Sequence, residues 1–359
     1  MHFEAVTLLR FRNLREVRLS LGQGVFVLFG GNAQGKTNFL EALFLVARGF
    51  SPFSSRDEEL ISFGEDSAAL AARFVEGSSF FVRQVVLRKG GKREWRRDGK
   101  VERKRVSLPL VGSFPEDLAL AEGEPKKRRD FIDRAISFLS PQFEALLGDY
   151  ERILTQRNLL LREKKDEGLV AVYGEQLVAL GARIVEERLR YLRLFVPFLS
   201  RAYRDISGND EPLEVRYESK GYSLREGVRE GLAKAAKALQ KEEWERGMTL
   251  FGPHRDEISF LLGKRDVREF ASFGEKKSVV LALRMAEKAV VQWIRKENPV
   301  LLLDDAFPGL DAQRKAFLSS CVFSGDQVFL TTTEEDIARE FAERGARIFR
   351  VCEGRIEDA

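Results

Sequence analysis

Eight residues, Gly30-Gly31-Asn32-Ala33-Gln34-Gly35-Lys36-Thr37, read G-x-x-x-x-G-K-T without a departure. An apolar run, Val25 to Phe29, leads into them, and a helical pattern, Lys36 to Ala47, follows. In that order these residue types make a phosphate cradle. Glycines let successive N–H groups curl round an anion, and the helix adds its N-terminal dipole. Lys36 reaches the β and γ phosphates, and the Thr37 hydroxyl holds Mg²⁺. Gly30 to Thr37, with Asn38, are the candidate nucleotide contacts. Such a loop needs an acidic residue at the end of a distant buried strand. Val300 to Leu303 is such a strand, and it ends in Asp304-Asp305. Asp304 is predicted to hold the metal, and Asp305 to orient or deprotonate the attacking water. Lys36 and Asp305 are thus the candidate catalytic residues.

Two further segments refine the chemistry. Leu310-Asp311, after Asp304-Asp305-Ala306-Phe307-Pro308-Gly309, resembles the D-loop of ABC-type ATPases, in which nucleotide is sandwiched between two heads. Ala271-Ser272-Phe273-Gly274-Glu275 opens a helix and looks like an ABC signature, whose Ser and Gly (Ser272 and Gly274 here) bind the γ-phosphate of the opposite subunit.

A basic strip stands apart from these motifs. Residues Arg83 to Arg105 hold 11 Lys/Arg against 3 acids, a net +8 in 23 residues. Arg88, Lys89, Lys92, Arg93, Arg96, Arg97, Arg103, Lys104 and Arg105 are the candidate DNA-phosphate contacts, with Trp95 as a stacking or wedge residue. A solvated edge strand protected by charge is the plainer alternative. Lys126-Lys127-Arg128-Arg129 forms a second cluster at a helix start, where cations oppose the helix dipole and suggest a phosphate or acidic partner.

The elements that must position these residues are legible in outline. Phe3 to Leu9 and Gly24 to Phe29 read as strands. Ala68 to Arg105 alternates apolar and polar residues, with turn signals at Gly90-Gly91 and Asp98-Gly99, and predicts an antiparallel β layer. From about Lys126 to Lys241 amphipathic helix patterns dominate, with Val170 to Tyr203 the longest. They are too irregular for a long coiled coil. After Glu275 the rhythm is α/β again: a helix to Arg295, a strand Val300–Leu303, a helix Ala312–Cys321, a strand Val328–Leu330, a helix Ile337–Glu343 and a strand Ile348–Val351. Lys36 and Asp304 are about 260 residues apart in sequence and must meet by folding. The expected organisation is therefore an α/β ATPase head split between 1–120 and 245–359, with an antiparallel β layer, closed around an inserted helical lobe, 121–244.

Composition sets the bounds. The chain has 359 residues, is 44% hydrophobic and carries only 2 Cys, Cys321 and Cys352. That length buries a full core, while two thiols build neither a disulfide scaffold nor a zinc cluster. No apolar run approaches the ~18 to 20 residues that span a bilayer, and no signal peptide is evident. A cytoplasmic protein without a membrane is expected. The net charge of +4 over the whole chain leaves a slightly acidic body outside the strip.

Together the motifs resemble the RecF family of bacterial recombination-repair proteins, ABC-type ATPases related to the SMC heads. The likeness runs from end to end. Gly35 to Leu43 and Ser55 to Gly64 look like the family's N-terminal block; Phe114 to Leu118, Gly123 to Asp133 and Gln156 to Leu160 are similar to its middle blocks. Thr249-Leu250-Phe251-Gly252-Pro253-His254-Arg255-Asp256 is similar to its most distinctive one. The resemblance implies a slow Mg²⁺-dependent ATPase that dimerises on ATP and binds duplex DNA and single-strand/duplex junctions. It also implies partners: RecR, and through it RecO and RecA at gapped DNA. Arg56 is expected near the nucleotide, and His254 and Arg255 to matter or, on the plainer reading, His254 to cap a turn. Two departures stand out. Phe273 and Glu275 replace amides in the signature, and the extra carboxylate is expected to repel a partner's phosphate unless Lys276 or Lys277 compensates. Thr331, Thr332 and Thr333 stand where many ABC ATPases carry a switch histidine. A non-hydrolysing nucleotide switch, an SMC-like ATPase of another DNA pathway and a transporter's nucleotide-binding subunit are the alternatives.

Overall fold

A computed structural model describes residues 1–103, 107–324 and 327–359. Lys104 and Arg105 of the basic strip lie outside the described residues. The chain divides into two compact units, Met1–Asp117 with Asp205–Gly208 and Leu281–Ala359, and Leu118–Arg204 with Asn209–Val280. Along the chain come β1 (His2–Phe11), β2 (Leu14–Ser20), β3 (Gly24–Phe29), α1 (Lys36–Arg48), β4 (Ser67–Glu76), β5 (Ser79–Arg88), β6 (Glu94–Arg97), β7 (Lys100–Val101) and β8 (Leu110–Ser113). Next are α2 (Ala119–Glu122), α3 (Pro125–Leu139), α4 (Pro141–Glu163), α5 (Glu167–Ser207), β9 (Leu213–Glu218), α6 (Val228–Ala238), α7 (Gln240–Arg246), β10 (Glu257–Leu262), β11 (Arg265–Asp266), α8 (Val267–Phe270) and α9 (Phe273–Arg295). The chain closes with β12 (Val300–Leu303), α10 (Ala312–Phe323), β13 (Gln327–Thr332), α11 (Glu335–Glu343), β14 (Arg347–Cys352) and β15 (Arg355–Asp358).

The first unit is built on two sheets. One is antiparallel, in the order β2-β1-β4-β5-β6-β7. Along β4 alternate residues Ala68, Leu70, Ala72 and Phe74 are buried, the period-2 pattern of a half-buried strand. The other runs β15-β14-β3-β13-β12-β8 and is parallel except at β15. Its strands β12 and β13 are buried throughout, as strands covered on both faces must be. One hydrophobic cluster joins both sheets to α1: Phe26 stacks on Phe329 at 4.9 Å, and Phe3 meets Phe329 edge-on.

The inserted unit is not purely helical. A three-stranded sheet, β11-β10-β9, lies within it, and β10 pairs with β9 over six residues. That pairing carries the insert past the expected boundary at 245 to Val280. A second difference concerns α5, whose 41 residues are long and apolar enough to cross a membrane by length and composition alone. Its residues Leu177, Ile184, Val185, Phe195 and Leu199 are buried in the protein core, and Arg188 among them is paired with Asp133.

Candidate functional site

Strand order places the chemistry. β13 lies between β3, which feeds the glycine loop, and β12, which ends at the carboxylates. The register sets Thr331 opposite Leu28 and Leu330 opposite Leu303, so the C-terminal ends of all three strands converge. There Thr37 Oγ1 donates to Asp304 Oδ2 at 2.8 Å, across 267 residues of sequence. Thr331 Oγ1 donates to Asp304 Oδ1 at 2.7 Å and accepts from the Asp305 amide at 2.9 Å. One buried hydroxyl thus fixes the Asp304 carboxylate and the backbone of Asp305. Asp305 sits at φ 48°, a left-handed conformation that costs a non-glycine residue of order 1 kcal/mol or more and needs such support.

The loop is already curled. Ala33 and Gly35 have φ of 60° and 116°. Lys36 Nζ donates to the Gly30 and Gly31 carbonyls, each at 2.7 Å. Burial holds the Lys36 ammonium below its ordinary pKa, with Asp304 and Asp305 opposing. Burial likewise raises the Asp304 carboxyl, against the hydrogen bonds from Thr331 and Thr37. Each charge is poorly solvated and would gain from a counter-charge in the cleft. Lys36 and Asp304 line a cavity of about 200 Å³ together with Asn32, Ala33, Gly35, Thr37, Asn38, Pro115, Asp305, Thr331 and Thr333. Nearby Glu116, on the loop after β8, has its carboxyl raised by burial and by Asp304.

The remaining candidates fall elsewhere. Arg56 does not line this cavity; it is exposed and ion-paired with Glu59. Asp311 caps α10, accepting from the Arg314 amide at 2.9 Å. At the signature, the Ser272 amide donates to Glu275 Oε2 at 2.7 Å and the Glu275 amide to Ser272 Oγ at 3.3 Å. This is a capping box, so the Glu275 carboxylate is turned back onto its own helix start. Lys277 lies 5.1 Å from the centroid of the exposed Phe273 ring, and Lys276 reaches Glu122 at 3.4 Å.

The basic strip is thinned by its own fold. Arg83 is wholly buried and bonded to Glu102. Arg93 is taken up by Asp57 and the Gly49 carbonyl, which removes it from the candidate phosphate contacts. Trp95 is 8% exposed in the core cluster, so it cannot stack on a base or wedge between bases. Arg88 and Arg96 share Glu94, and Arg97 covers the Phe81 ring. Lys89, Lys92 and Arg103 are exposed. In the second cluster Arg128 is buried on Glu257 and Arg129 donates to the Asp256 carbonyl, an internal role for two of its four cations, while Lys126 pairs with Asp130 on the exposed helix surface. His254 bonds Tyr150 through Nδ1 at 2.7 Å, and Arg255 donates to the Thr249 carbonyl.

Sequence reading missed Thr331 as an organiser, having noted it only as occupying a histidine's place. It also missed Asn13, whose Nδ2 donates to the Ala33 carbonyl. No motif flags either; their signal is position on neighbouring strands and turns.

Comparison with known proteins agrees with this geometry. The profile of the AAA domain matches residues 5–190. The chain is 36% identical to the DNA replication and repair protein RecF of Symbiobacterium thermophilum, over 99% of this chain and 98% of that protein. It is 34% identical to the protein of the same name from Geobacillus thermodenitrificans, over 99% of both. Among solved structures, the recombination mediator protein RecF with ATP, of the RecFOR pathway, superposes with a TM-score of 0.89 at 26% identity, over 100% of this chain and 97% of that one. An Smc head bound to the C-terminal winged-helix domain of ScpA superposes at 0.58 with 16% identity, over 100% and 97%, a likeness of fold alone.

Proposed function

The chain belongs to the RecF family of DNA replication and repair proteins, and from that premise we propose an ATP-driven DNA clamp of recombination repair. It binds ATP and Mg²⁺ at the cleft between the glycine loop and Asp304-Asp305, dimerises on ATP, and engages duplex DNA or single-strand/duplex junctions in the cytoplasm. There it helps RecO and RecR place RecA at gaps. Slow hydrolysis releases the dimer.

The observation that carries this reading is the hydrogen bond from Thr37 to Asp304. It pairs a hydroxyl and a carboxylate oxygen, hard donors of the kind Mg²⁺ takes when phosphates and water complete its shell. No group of three or more metal-binding side chains occurs among the described residues, so the substrate's phosphates would have to supply the rest. Bound Mg²⁺ supplies charge neutralisation at the β and γ phosphates. The loop amides and Lys36 would hold those phosphates, Asp304 and Thr37 would hold the metal, and Asp305 would orient or deprotonate the attacking water. Lys89, Lys92, Arg103 and the exposed Arg88, Arg96 and Arg97 are the DNA side of the proposal. Ser272 and Gly274 would reach a second copy's nucleotide.

Lys36→Ala tests the site. It should abolish ATP-dependent retention on gapped duplex and weaken ATP binding about a hundredfold, roughly 2.7 kcal/mol. Unchanged ATP affinity together with unchanged DNA retention would remove the assignment. The altered signature, with Phe273 and Glu275 in place of amides, motivates one second reading, a switch that binds ATP without hydrolysing it. Phosphate release in a single-turnover assay with DNA present would reject that reading.

A further inference from the structure

We propose that the turn Glu353-Gly354, at the tip of the β14–β15 hairpin, is a clamp that holds the glycine loop in its anion-binding shape, with Gln34 as the positioning residue through which it acts. The proposal rests on the reading that residues 30 to 37 cradle a nucleotide's phosphates.

The two amides of the turn both point at Gln34. Glu353 N–H donates to Gln34 Oε1 at 2.7 Å, and Gly354 N–H donates to the Gln34 carbonyl at 3.0 Å. Gln34 stands between Ala33 and Gly35, the two loop residues at positive φ. A loop bent in this way persists only when its surroundings over-determine it. The hairpin meets that need. β14 runs parallel to β3 with Arg350 opposite Phe29, which brings Val351 against the loop's first residue: a Cβ on Gly30 would lie 2.2 Å from the Val351 carbonyl oxygen.

A second hold on the loop comes from Asn13, in the turn between β1 and β2. Its Nδ2 donates to the Ala33 carbonyl at 3.3 Å and its Oδ1 accepts from Asn38 at 2.8 Å. The hairpin tip also abuts this turn, since a Cβ on Gly354 would be 2.1 Å from the Asn13 carbonyl oxygen. Glu353 and Gly354, at φ 48° and 75°, form the two-residue left-handed turn that a tight hairpin needs. The loop is therefore held by segments some 20 residues before it and 320 residues after it. A loop fixed before its ligand arrives loses less entropy on binding, and that gain appears as affinity. The clamp acts on phosphates, so it serves ATP and ADP alike.

A matched pair of glycine substitutions isolates the clamp. Gly354→Ala and Gly345→Ala both place a side chain at positive φ in a turn, but nothing lies within 4 Å of a Cβ at Gly345. Titration with a fluorescent ATP analogue should show Gly354→Ala weakened at least tenfold and Gly345→Ala unchanged; both lower Tm through the strain at positive φ, Gly354→Ala further because its Cβ meets the Asn13 carbonyl. Gln34→Met, close in shape but lacking Oε1, should weaken ATP and ADP binding several-fold. In the wild type ATP should slow hydrogen exchange at the Glu353 and Gly354 amides; in Gln34→Met, which keeps the backbone carbonyl that Gly354 uses but removes Oε1, the Glu353 amide should lose that protection. Wild-type nucleotide affinity in both Gly354→Ala and Gln34→Met overturns the clamp, as does exchange at those amides that ATP leaves unaltered. Should Gly354→Ala fail to fold, Gln34→Met and the exchange data decide. If the wild type binds ATP no better than Lys36→Ala does, the phosphate-loop reading has failed and the clamp falls with it; intact Lys36 dependence with unaffected clamp variants sinks the clamp alone.

Discussion

Each compact unit gathers polar side chains from distant parts of the sequence, and the two gatherings are built in opposite ways. In the inserted lobe, Arg157 donates to Thr249 at 2.8 Å, Glu243 at 2.7 Å and the Val170 carbonyl at 3.2 Å. Arg188 grips both oxygens of Asp133 at 2.7 Å. These charges satisfy one another inside packed protein. In the cleft, Lys36 rests on backbone carbonyls and Asp304 on two hydroxyls, neutral partners that a phosphate and a cation can replace. Both groups have pKa values displaced toward neutrality, whereas the lobe's ion pairs already supply each other's counter-charge. The lesson is that motif-like polar residues become a binding site where they are left without counter-charge beside a cavity, and become scaffold where they are matched in pairs.

The sharpest way to break that comparison is to unpair the lobe. Arg157→Met leaves the Glu243 carboxylate, 0% exposed, without its partner. Removing one member of a buried pair costs about 3 to 5 kcal/mol. Urea denaturation should show that loss, while the folded variant keeps its ATP affinity within about twofold. Unchanged stability, or a selective loss of nucleotide binding, would place Arg157 in a functional role instead.

Asp305→Asn makes the reverse test in the cleft. Hydrolysis should fall by about 10² to 10³, within the range expected for a general base, with ATP still bound and stability changed by less than about 1 kcal/mol. The uncleaved nucleotide should also hold the dimer together, visible by sedimentation. A variant that hydrolyses normally would return the water-orienting task to another group.

His254 gives a pH-resolved version. Burial, foremost, and the neighbouring Arg255 push its imidazole down to about 4, with the Thr249 backbone opposing. The unfolded chain takes up a proton near 6.5 that the folded protein refuses until about 4. Stability from this group is therefore complete above pH ~6.5, is lost as pH falls from 6.5 to 4, and is flat below. The shift corresponds to roughly 3 kcal/mol. His254→Asn should remove that slope from the pH dependence of unfolding. Parallel curves for the two proteins would mean that the imidazole is not buried neutral.

Much of this division could be read in the residues. The glycine loop, the Asp304-Asp305 strand end, the long helix α5 and the α/β close all have strong local signals: fixed spacing, a buried apolar run, helical periodicity. What escaped has none. β8 is four residues long, too short for a period, yet it pairs with β12 and carries Glu116 toward Asp304. Thr331 gains its role from lying on the strand between two others, a fact of topology. Glu275, counted as a charge alone, implies repulsion of a phosphate; its place three residues after Ser272 is the capping-box spacing, which turns the carboxylate back onto the helix start. In the strip a count of cations overstates the free positive charge, because folding brings carboxylates to them.

That last point yields the smallest and most discriminating prediction. Within the strip, Arg93 is held by Asp57 and the Gly49 carbonyl, whereas Lys89 and Lys92 are exposed and make no ion pair among the described residues. If matched cations are scaffold and unmatched ones are contacts, the two kinds must separate in a salt titration of DNA binding. Each phosphate contact contributes about 0.9 to the slope of log affinity against log salt. Lys89→Ala with Lys92→Ala should lower the slope by about 2, uniformly across DNA sequences, since phosphate contacts carry no base information. Arg93→Ala should lower stability modestly and leave the slope where it was. A slope that responds to Arg93 as strongly as to the two lysines would mean that pairing in the folded chain does not predict which charges meet DNA, and the contrast between cleft and lobe would lose its use as a guide to function.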